Sequence, residues 1–322
     1  MRMAAITPPL SPLSSPPITF GYNTPAGDRG IERITPRTFV RDLTAVCDVA
    51  CQFCSTFWVP DHFMRSDSFR LECWTQLTWL AARYPTQYLG GIVMANSYRH
   101  PPLLAKMAAS IQTLSQGRFI LGYGAGWLAD EYHAYGYEFP TPRVRIAQMV
   151  EGIEVMRAMW TQSPASYTGT YYQVRDAYCE PRPDPPPPVM IGGDGERFLL
   201  RAVAEHADWW LPFSRDLTAL AHKITVLQEH CATVGRDFHT IQKVYPLTVY
   251  LSERRADAEA RAGASLASDN PPFAGEPEAL VDLLQQLVAL GFRHFALAFA
   301  DFPDTADLRL FERRVIPHIV GH

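Results

Sequence analysis

The sequence predicts an α/β fold, a (β/α)8 TIM barrel in which eight parallel strands are surrounded by helices. Short β-rich runs alternate with longer helical patterns to the end of the chain. Most of the β-rich runs are continuously apolar, which is typical of strands that are buried on both faces. The length of 322 residues suits one barrel of about 250 residues with insertions. A doubly wound parallel sheet is the alternative that the same pattern allows.

The predicted elements follow one another in a regular order. Eight strands are expected at 18–23, 56–60, 88–93, 118–124, 188–193, 208–212, 244–251 and 294–300. Eight helices are expected near 36–53, 71–84, 101–115, 143–161, 196–206, 216–234, 277–290 and 306–318. Each predicted strand is therefore followed by one predicted helix.

Two stretches interrupt this order and are predicted to be insertions after the fourth and seventh strands. Segment 162–188 contains "YTGTYYQV", which predicts a hairpin, and then "PRPDPPPP", whose prolines exclude a helix or a central strand. Segment 252–276 is charged and then reads "SDNPPFAGEP", which fits either a mobile lid or a linker. The Pro- and Ser-rich residues 1–17 predict a disordered tail, so residues 18–322 are expected to form a single domain.

Composition excludes several classes of function. The net charge of −4 provides no basic field for nucleic acid. No apolar run reaches the roughly 18 residues that a membrane span requires. Six cysteines without a secretory signal predict reduced thiols and a cytoplasmic location.

Three of these cysteines have a spacing that could hold an iron–sulfur cluster. Cys47, Cys51 and Cys54 follow the pattern C-x-x-x-C-x-x-C. On a helical wheel of residues 39–54, however, all three fall within an apolar arc of about 140°. Buried free cysteine behaves as a small hydrophobic residue, so we expect core packing. The sequence has no paired CxxC and no H-E-x-x-H, and no metal site is predicted.

In a barrel, chemistry is carried by the residues that follow the strands. Asp61 and His62 follow the second predicted strand, and a histidine there can accept or donate a proton near neutral pH. The structural alternative is a helix-capping Asp beside a hydrogen-bonded His. Arg99 and His100, after the third strand, could bind an anion or be ordinary surface charges.

Glycines follow the fourth and fifth predicted strands. In "GYGAGW", Gly122, Gly124 and Gly126 allow close backbone approach, and Trp127 could stack on a flat ring or belong to the core. In "GGDGE", glycines precede a predicted helix, whose N–H groups and dipole favour a phosphate. A tight βα turn is the structural alternative for "GGDGE".

Taken in order, these strand ends resemble the luciferase-like monooxygenase family. The matching pieces are "FWVPDHF", "LGGIVMANSYRHPPLLAKMAASIQTLSQGRFILGYGAGW", "RVRIAQMVEGIEVMRAMW", "PPPPVMIGGDGER" and "AEHADWW", which run from about 56 to 213. The resemblance implies a TIM barrel that binds reduced FMN or the deazaflavin F420 and transfers two electrons, with or without oxygen. The long central block is more similar to the deazaflavin branch.

The resemblance also implies roles for individual residues. His62 is similar to the active-site histidine beside the ring, and Ile92-Val93 to a non-proline cis peptide that supports the ring. Gly192 to Gly195 are similar to the family's phosphate loop. The full set of expected cofactor-binding residues is Asp61, Ile92, Val93, Ala95, Asn96, Ala125, Gly126, Trp127, Gly192, Gly193, Asp194 and Gly195.

The expected function is therefore electron transfer between bound F420 and a small organic substrate that the sequence does not identify. Trp127 stands where the deazaflavin sugar-phosphate dehydrogenases carry a glutamate, so that activity is not expected. An FMN-dependent monooxygenase served by a flavin reductase is the first alternative, and a non-catalytic flavin-binding subunit is the second. His62 and both glycine loops favour an enzyme. Family analogy suggests a homodimer.

Overall fold

A computed structural model describes residues 16–27, 34–65 and 68–319. The predicted disordered tail lies, apart from Pro16 and Pro17, outside the described residues. The strands are β1 (Thr19–Asn23), β2 (Thr56–Val59), β3 (Tyr88–Gly91), β4 (Met94–Ala95), β5 (Phe119–Gly124), β6 (Ala165–Thr168), β7 (Gln173–Ala177), β8 (Val189–Gly192), β9 (Trp209–Leu211), β10 (Gln242–Leu251), β11 (Phe273–Gly275) and β12 (His294–Phe299). The α-helices are α1 (Pro36–Ala50), α2 (Cys73–Arg83), α3 (Pro101–Leu114), α4 (Ala129–Ala134), α5 (Pro142–Thr161), α6 (Leu199–His206), α7 (Leu217–Val234), α8 (Arg255–Ala262), α9 (Pro277–Ala289), α10 (Ala306–Arg314) and α11 (Ile316–Ile319).

Eight parallel strands close into a ring, which confirms the barrel over the doubly wound sheet. The ring runs β1–β2–β3–β5–β8–β9–β10–β12 and returns from β12 to β1. Helices connect the successive strands on the outside, as parallel pairing requires. The carboxyl ends of all eight strands consequently meet at one end of the barrel.

The local sequence around Thr35 determines where helix α1 begins. Thr35 caps its N-terminus in a reciprocal arrangement with Thr38, and Pro36 occupies the first turn. The helix ends at Ala50, three residues before the predicted end at 53. Val40, an apolar residue in the first turns of this helix, is exposed.

The cysteine stretch packs into the core, as predicted. Cys47 lies buried in the last turn of α1, and Cys54 is buried in the turn that leads to β2. Cys51 is half-buried, and its Sγ donates to the Asp48 carbonyl at 3.3 Å. Burial raises the pKa of both the Cys47 and the Cys54 thiols. Within the described ranges, no three His, Cys, Asp or Glu side chains are grouped as metal ligands would be.

The two predicted insertions have different structures. Strands β6 and β7 form the predicted antiparallel hairpin. Segment 252–276, for which a lid or a linker was expected, contains α8 and β11, and β11 extends the sheet by pairing with the end of β10. Arg261 of α8 pairs with Asp307 of α10 at 3.0 Å, which holds the segment against the barrel.

The barrel interior is filled with side chains. Trp58 Nε1 donates to His294 Nε2 at 3.0 Å, and His294 Nδ1 lies 2.8 Å from Thr19 Oγ1. Complete burial lowers the pKa of His294 to about 3, so the ring is neutral. None of the helices in the described part of the chain is long and apolar enough to span a membrane.

Candidate active site

The predicted site residues lie where four neighbouring parts of the barrel reach its carboxyl end. Asp61 and His62 follow β2, Ala95 ends β4, Gly124 ends β5 and Gly192 ends β8. The fold therefore brings together residues that are up to 131 positions apart in the sequence (192 − 61).

Val93 brings three of these strand ends into contact. The Ile92–Val93 peptide bond is cis and separates β3 from β4. A Cβ atom at Gly124 or at Gly192 would lie 2.8 Å from Val93 Cγ2. Glycine is therefore required at the ends of β5 and β8 to leave space for the Val93 side chain.

His62 and Trp127 stand together at the mouth of the barrel. The centroid of the indole is 5.9 Å from that of the imidazole, at 88°. Trp127 is 70% exposed, so it is not the core residue that the structural alternative proposed. His62 is 28% exposed, and its Nδ1 lies 3.0 Å from Glu131 Oε2. One nitrogen of the ring is thus directed into the protein.

Glu131 is a site residue that the sequence analysis missed. It lies on α4, which was also not predicted, and its side chain is completely buried. Its carboxylate accepts hydrogen bonds from Tyr98 Oη at 2.6 Å and from Met64 N at 3.0 Å, and a further short one from Phe63 N. Burial alone raises the pKa of Glu131, but the hydrogen bonds from Tyr98 and His62 outweigh it and the pKa is lowered. The contact with His62 joins residues 69 positions apart, and no spacing in the sequence signals it.

Gly126 makes room for this helix. Its φ is +78°, and a Cβ there would lie 1.7 Å from the hydroxyl of Tyr132 on α4. Its carbonyl accepts a hydrogen bond from Arg145 Nε at 3.3 Å. Ala125, beside it, packs against the main core cluster. Backbone geometry at Gly126 therefore sets where Trp127 and Glu131 stand.

Asp61 is engaged within the protein. Its carboxylate forms a bidentate ion pair with Arg99, with both N–O distances at 2.9 Å. It accepts a third hydrogen bond from Ala95 N at 2.9 Å. Arg99 also pairs with Glu72. Arg99 is therefore neither the binding residue for an external anion nor the ordinary surface charge that the sequence allowed, because its guanidinium is buried in ion pairs within the protein. The pair fastens the loop after β2 to the end of β4.

The Asn96 side chain is also hydrogen-bonded within the protein. Its Oδ1 accepts from Tyr123 Oη at 2.6 Å, and its Nδ2 donates to Tyr172 Oη at 3.1 Å. Tyr172 lies in the turn between β6 and β7, so this bond ties the hairpin insertion to the site.

The loop after β8 combines a fixed start with free donors. Gly193 has φ +127°, its N donates to the Leu211 carbonyl, and its carbonyl accepts from Trp210 Nε1, both at 2.8 Å. Asp194 Oδ2 accepts from the Ser214 backbone N at 2.9 Å and from its Oγ at 2.6 Å, which links this loop to the loop after β9. Helix α6 begins at Leu199 rather than at the predicted 196.

The free donors come next along the loop. Among the described residues, the N–H groups of Gly195, Glu196 and Arg197 have no hydrogen-bond partner. A Cβ at Gly195 would meet nothing closer than Leu199 Cβ at 3.7 Å. Unpaired N–H groups and open space before a helix fit a phosphate group.

Similarity to known proteins agrees with this geometry. The profile described as luciferase-like monooxygenase matches residues 54–306. An uncharacterized protein of Mycobacterium tuberculosis is 32% identical over 178 residues, which are 55% of this chain and 60% of that protein. An F420-dependent glucose-6-phosphate dehydrogenase of Amycolatopsis mediterranei is 31% identical over 51% of this chain and 50% of the enzyme. The chain thus spans about half to three fifths of the length of these two relatives.

Other similarities extend over nearly the whole chain. An enzyme of Segniliparus rotundus with the same name is 25% identical over 94% of this chain and 98% of its own length. The structure of an F420-dependent secondary alcohol dehydrogenase in complex with an F420–acetone adduct has a TM-score of 0.80 at 17% identity, covering 94% of this chain and 99% of that one. Monooxygenase RslO1 from Streptomyces bottropensis has a TM-score of 0.78 at 20% identity, over 94% and 99% of the two chains. These two structures share the fold. Because the family profile matches most of the barrel, the chain belongs to the luciferase-like monooxygenase family.

Proposed function

We propose that this chain is an F420-dependent oxidoreductase that exchanges a hydride between the deazaflavin and a small organic substrate. The observation that carries the proposal is the partly exposed His62 at the barrel mouth, whose Nδ1 faces the buried carboxylate of Glu131. Relatives named as F420-dependent dehydrogenases support the choice of cofactor.

The residues at the mouth suit the parts of such a cofactor. We assign the phosphate to the free N–H groups of Gly195, Glu196 and Arg197. We assign the ring to the surface formed by Val93, Ala95 and the glycine strand ends, which present little side-chain bulk. When bound there, F420 supplies the hydride acceptor or donor. The protein's own part is to hold the substrate oxygen near His62 and to move a proton through the imidazole.

Trp127 argues against glucose 6-phosphate as the substrate. Its indole, 70% exposed, lies against His62, so a substrate at His62 contacts an aromatic surface. An aromatic face favours an apolar substrate over a phosphorylated sugar. We therefore propose an uncharged alcohol or carbonyl compound as the substrate.

An FMN-dependent monooxygenase is the second candidate, since FMN also carries a phosphate and a planar ring. Such an enzyme would need reduced FMN from a flavin reductase. The third candidate, a non-catalytic flavin-binding subunit, does not explain why an exposed tryptophan and a carboxylate-held histidine stand together at the mouth. We further propose a homodimer, which size-exclusion chromatography with light scattering tests.

Titration with each cofactor tests the proposal. Purified protein is titrated anaerobically with F420 and with FMN, each oxidised and reduced, and followed by absorbance and fluorescence. We expect stoichiometric binding of F420. Binding of reduced FMN alone would support the monooxygenase instead, and binding of neither cofactor would refute both enzymes. A primary or secondary alcohol series with bound F420 then tests for loss of the absorbance of the oxidised cofactor.

A further inference from the structure

The two oxygens of Glu131 have different neighbours. Oε1 accepts from two backbone groups, Phe63 N and Met64 N. Oε2 accepts from Tyr98 Oη at 2.6 Å and faces His62 Nδ1 at 3.0 Å. Backbone donors keep their protons, so the side of the carboxylate that faces His62 is fixed by the fold.

We propose that Glu131 is a positioning residue that holds neutral His62 in the Nδ1–H tautomer and leaves Nε2 as the nitrogen of this ring that accepts a proton. A carboxylate accepts hydrogen bonds and donates none, so a ring nitrogen that faces it must carry the proton. The lowered pKa of Glu131 keeps the group ionised at neutral pH. The catalytic consequence of this assignment rests on the proposed function, whereas the tautomer itself does not.

The groups around His62 support this assignment. Burial and the hydrogen bond to Glu131 raise the pKa of Tyr98, so its hydroxyl stays protonated and remains a donor. The other nearby carboxylate, Asp61, is held by Arg99 and by Ala95 N. Trp127 meets the imidazole as a ring contact. Glu131 is thus the charged group that acts on Nδ1 among these neighbours.

With an alcohol substrate, Nε2 of His62 would accept the hydroxyl proton. With F420 bound as the hydride acceptor, an alcohol substrate would give its hydroxyl proton to Nε2 and its hydride to the cofactor, and the carbon–oxygen bond would become a carbonyl. The imidazolium that forms carries its two protons on Nδ1 and Nε2, and the Glu131 carboxylate stabilises its charge. In the reverse direction, Nε2 returns the proton to the carbonyl oxygen.

The variant Glu131→Gln gives a sharp test, because the fold dictates how the amide must lie. Phe63 N and Met64 N select the amide oxygen at Oε1, and the NH2 group is then placed at Oε2. An NH2 group donates, so Nδ1 of His62 must become the acceptor and the ring must change to the Nε2–H tautomer. Tyr98 Oη accepts the second amide proton, and the buried network stays satisfied.

The tautomer is measured by 15N NMR on protein labelled at histidine, without cofactor. Of the ten histidines, His62 is identified by the signal that is lost in His62→Gln. We expect Nδ1–H in the parent and Nε2–H in Glu131→Gln. Tyr98→Phe is the matched control: it removes a donor from the same carboxylate oxygen but keeps the charge, so it should retain Nδ1–H.

Kinetics then connect the tautomer to the reaction. Glu131→Gln should lower kcat by about 10²–10⁴-fold, the usual contribution of a general base, while KM and cofactor affinity change little. A folded Glu131→Gln that keeps Nδ1–H, or a parent with Nε2–H, overturns the inference. If the variant does not fold, the spectrum of the parent protein is by itself sufficient to test the inference. A parent with Nδ1–H that binds neither cofactor supports the tautomer and refutes the proposed function.

Discussion

The buried ion pair between Asp61 and Arg99 gives the prediction with the largest effect on stability. Asp61 was expected to bind the cofactor, but its carboxylate accepts three hydrogen bonds from within the protein, two from Arg99 and one from Ala95 N. The perturbation is Asp61→Asn, which preserves the shape of the side chain and removes its charge. One carboxylate oxygen becomes an NH2 group that faces either the guanidinium or the Ala95 N–H, and both are donors.

The size of the effect follows from the burial of the partner. The side chains of Arg99 and Asp61 are 8% and 1% exposed, so the substitution leaves a buried cation with only Glu72 to balance it. Removing one partner of a buried pair typically costs about 3–5 kcal/mol. Because Glu72 remains, we expect the lower end, about 3 kcal/mol of unfolding free energy. This is a large part of the roughly 5–15 kcal/mol that stabilises a typical domain.

Urea denaturation followed by tryptophan fluorescence measures this loss. The control is Glu205→Gln, which breaks an exposed pair with Arg201 one helical turn away and should cost no more than about 0.5 kcal/mol. The double variant Asp61→Leu with Arg99→Met should recover much of the stability, since it removes both charges of the buried pair. An Asp61→Asn protein as stable as the parent, with cofactor binding lost, would refute the structural role and restore Asp61 as a direct ligand.

Three further predictions concern His62, the phosphate loop and the barrel interior. His62→Ala leaves Glu131 with its other donors, so it should melt near the parent temperature but turn over at least ~10²-fold more slowly; early unfolding with unchanged turnover per folded molecule would make His62 structural. Gly193→Ala places a Cβ 2.2 Å from Leu199 Cδ2 and should weaken binding of either cofactor, whereas Gly235→Ala, also at a positive φ (+71°) but in open space and remote from the loop, should not; equal affinities would argue against the phosphate assignment. His294, with a folded pKa of about 3, takes up its proton only on unfolding, so its contribution to stability is complete above about pH 6.5 and is lost as the pH falls toward 3. His294→Gln should remove up to about 1.4 kcal/mol per pH unit of that slope in denaturation between pH 6 and 4, and an unchanged slope would contradict the buried neutral ring.

Local signals were sufficient to predict the barrel. Continuous apolar runs mark strands that are covered on both faces, and caps such as Thr35 before Pro36 mark where helices begin. The resemblance added the cis peptide at Ile92–Val93, which the structure contains. The secondary structure of 252–276 was not predicted, because β11 is a strand of three residues and its pairing with β10 leaves no periodic pattern in so short a run.

The sequence predicted which residues lie at the site, but it did not predict which of them contact one another. Strand ends located Asp61 and His62, but sequence alone could not separate their environments. Asp61 is buried against Arg99, whereas the next side chain along the chain reaches the mouth. Glu131 was missed because α4 is a helix of only six residues, too short for its periodicity to be recognised.

The two carboxylates of the site differ in their charge balance, and this difference determines what the site can do. Asp61 already faces a cation, Arg99, and its hydrogen bonds are made to that guanidinium and to Ala95 N. The donors to Glu131 are two backbone N–H groups, one phenol and the imidazole of His62, and only the imidazole can become a cation. A proton that arrives at Nε2 therefore creates an ion pair at 3.0 Å from a carboxylate that is already ionised and already oriented. The arrangement favours a site that takes a proton from its substrate, which is the requirement for oxidising an alcohol by hydride transfer.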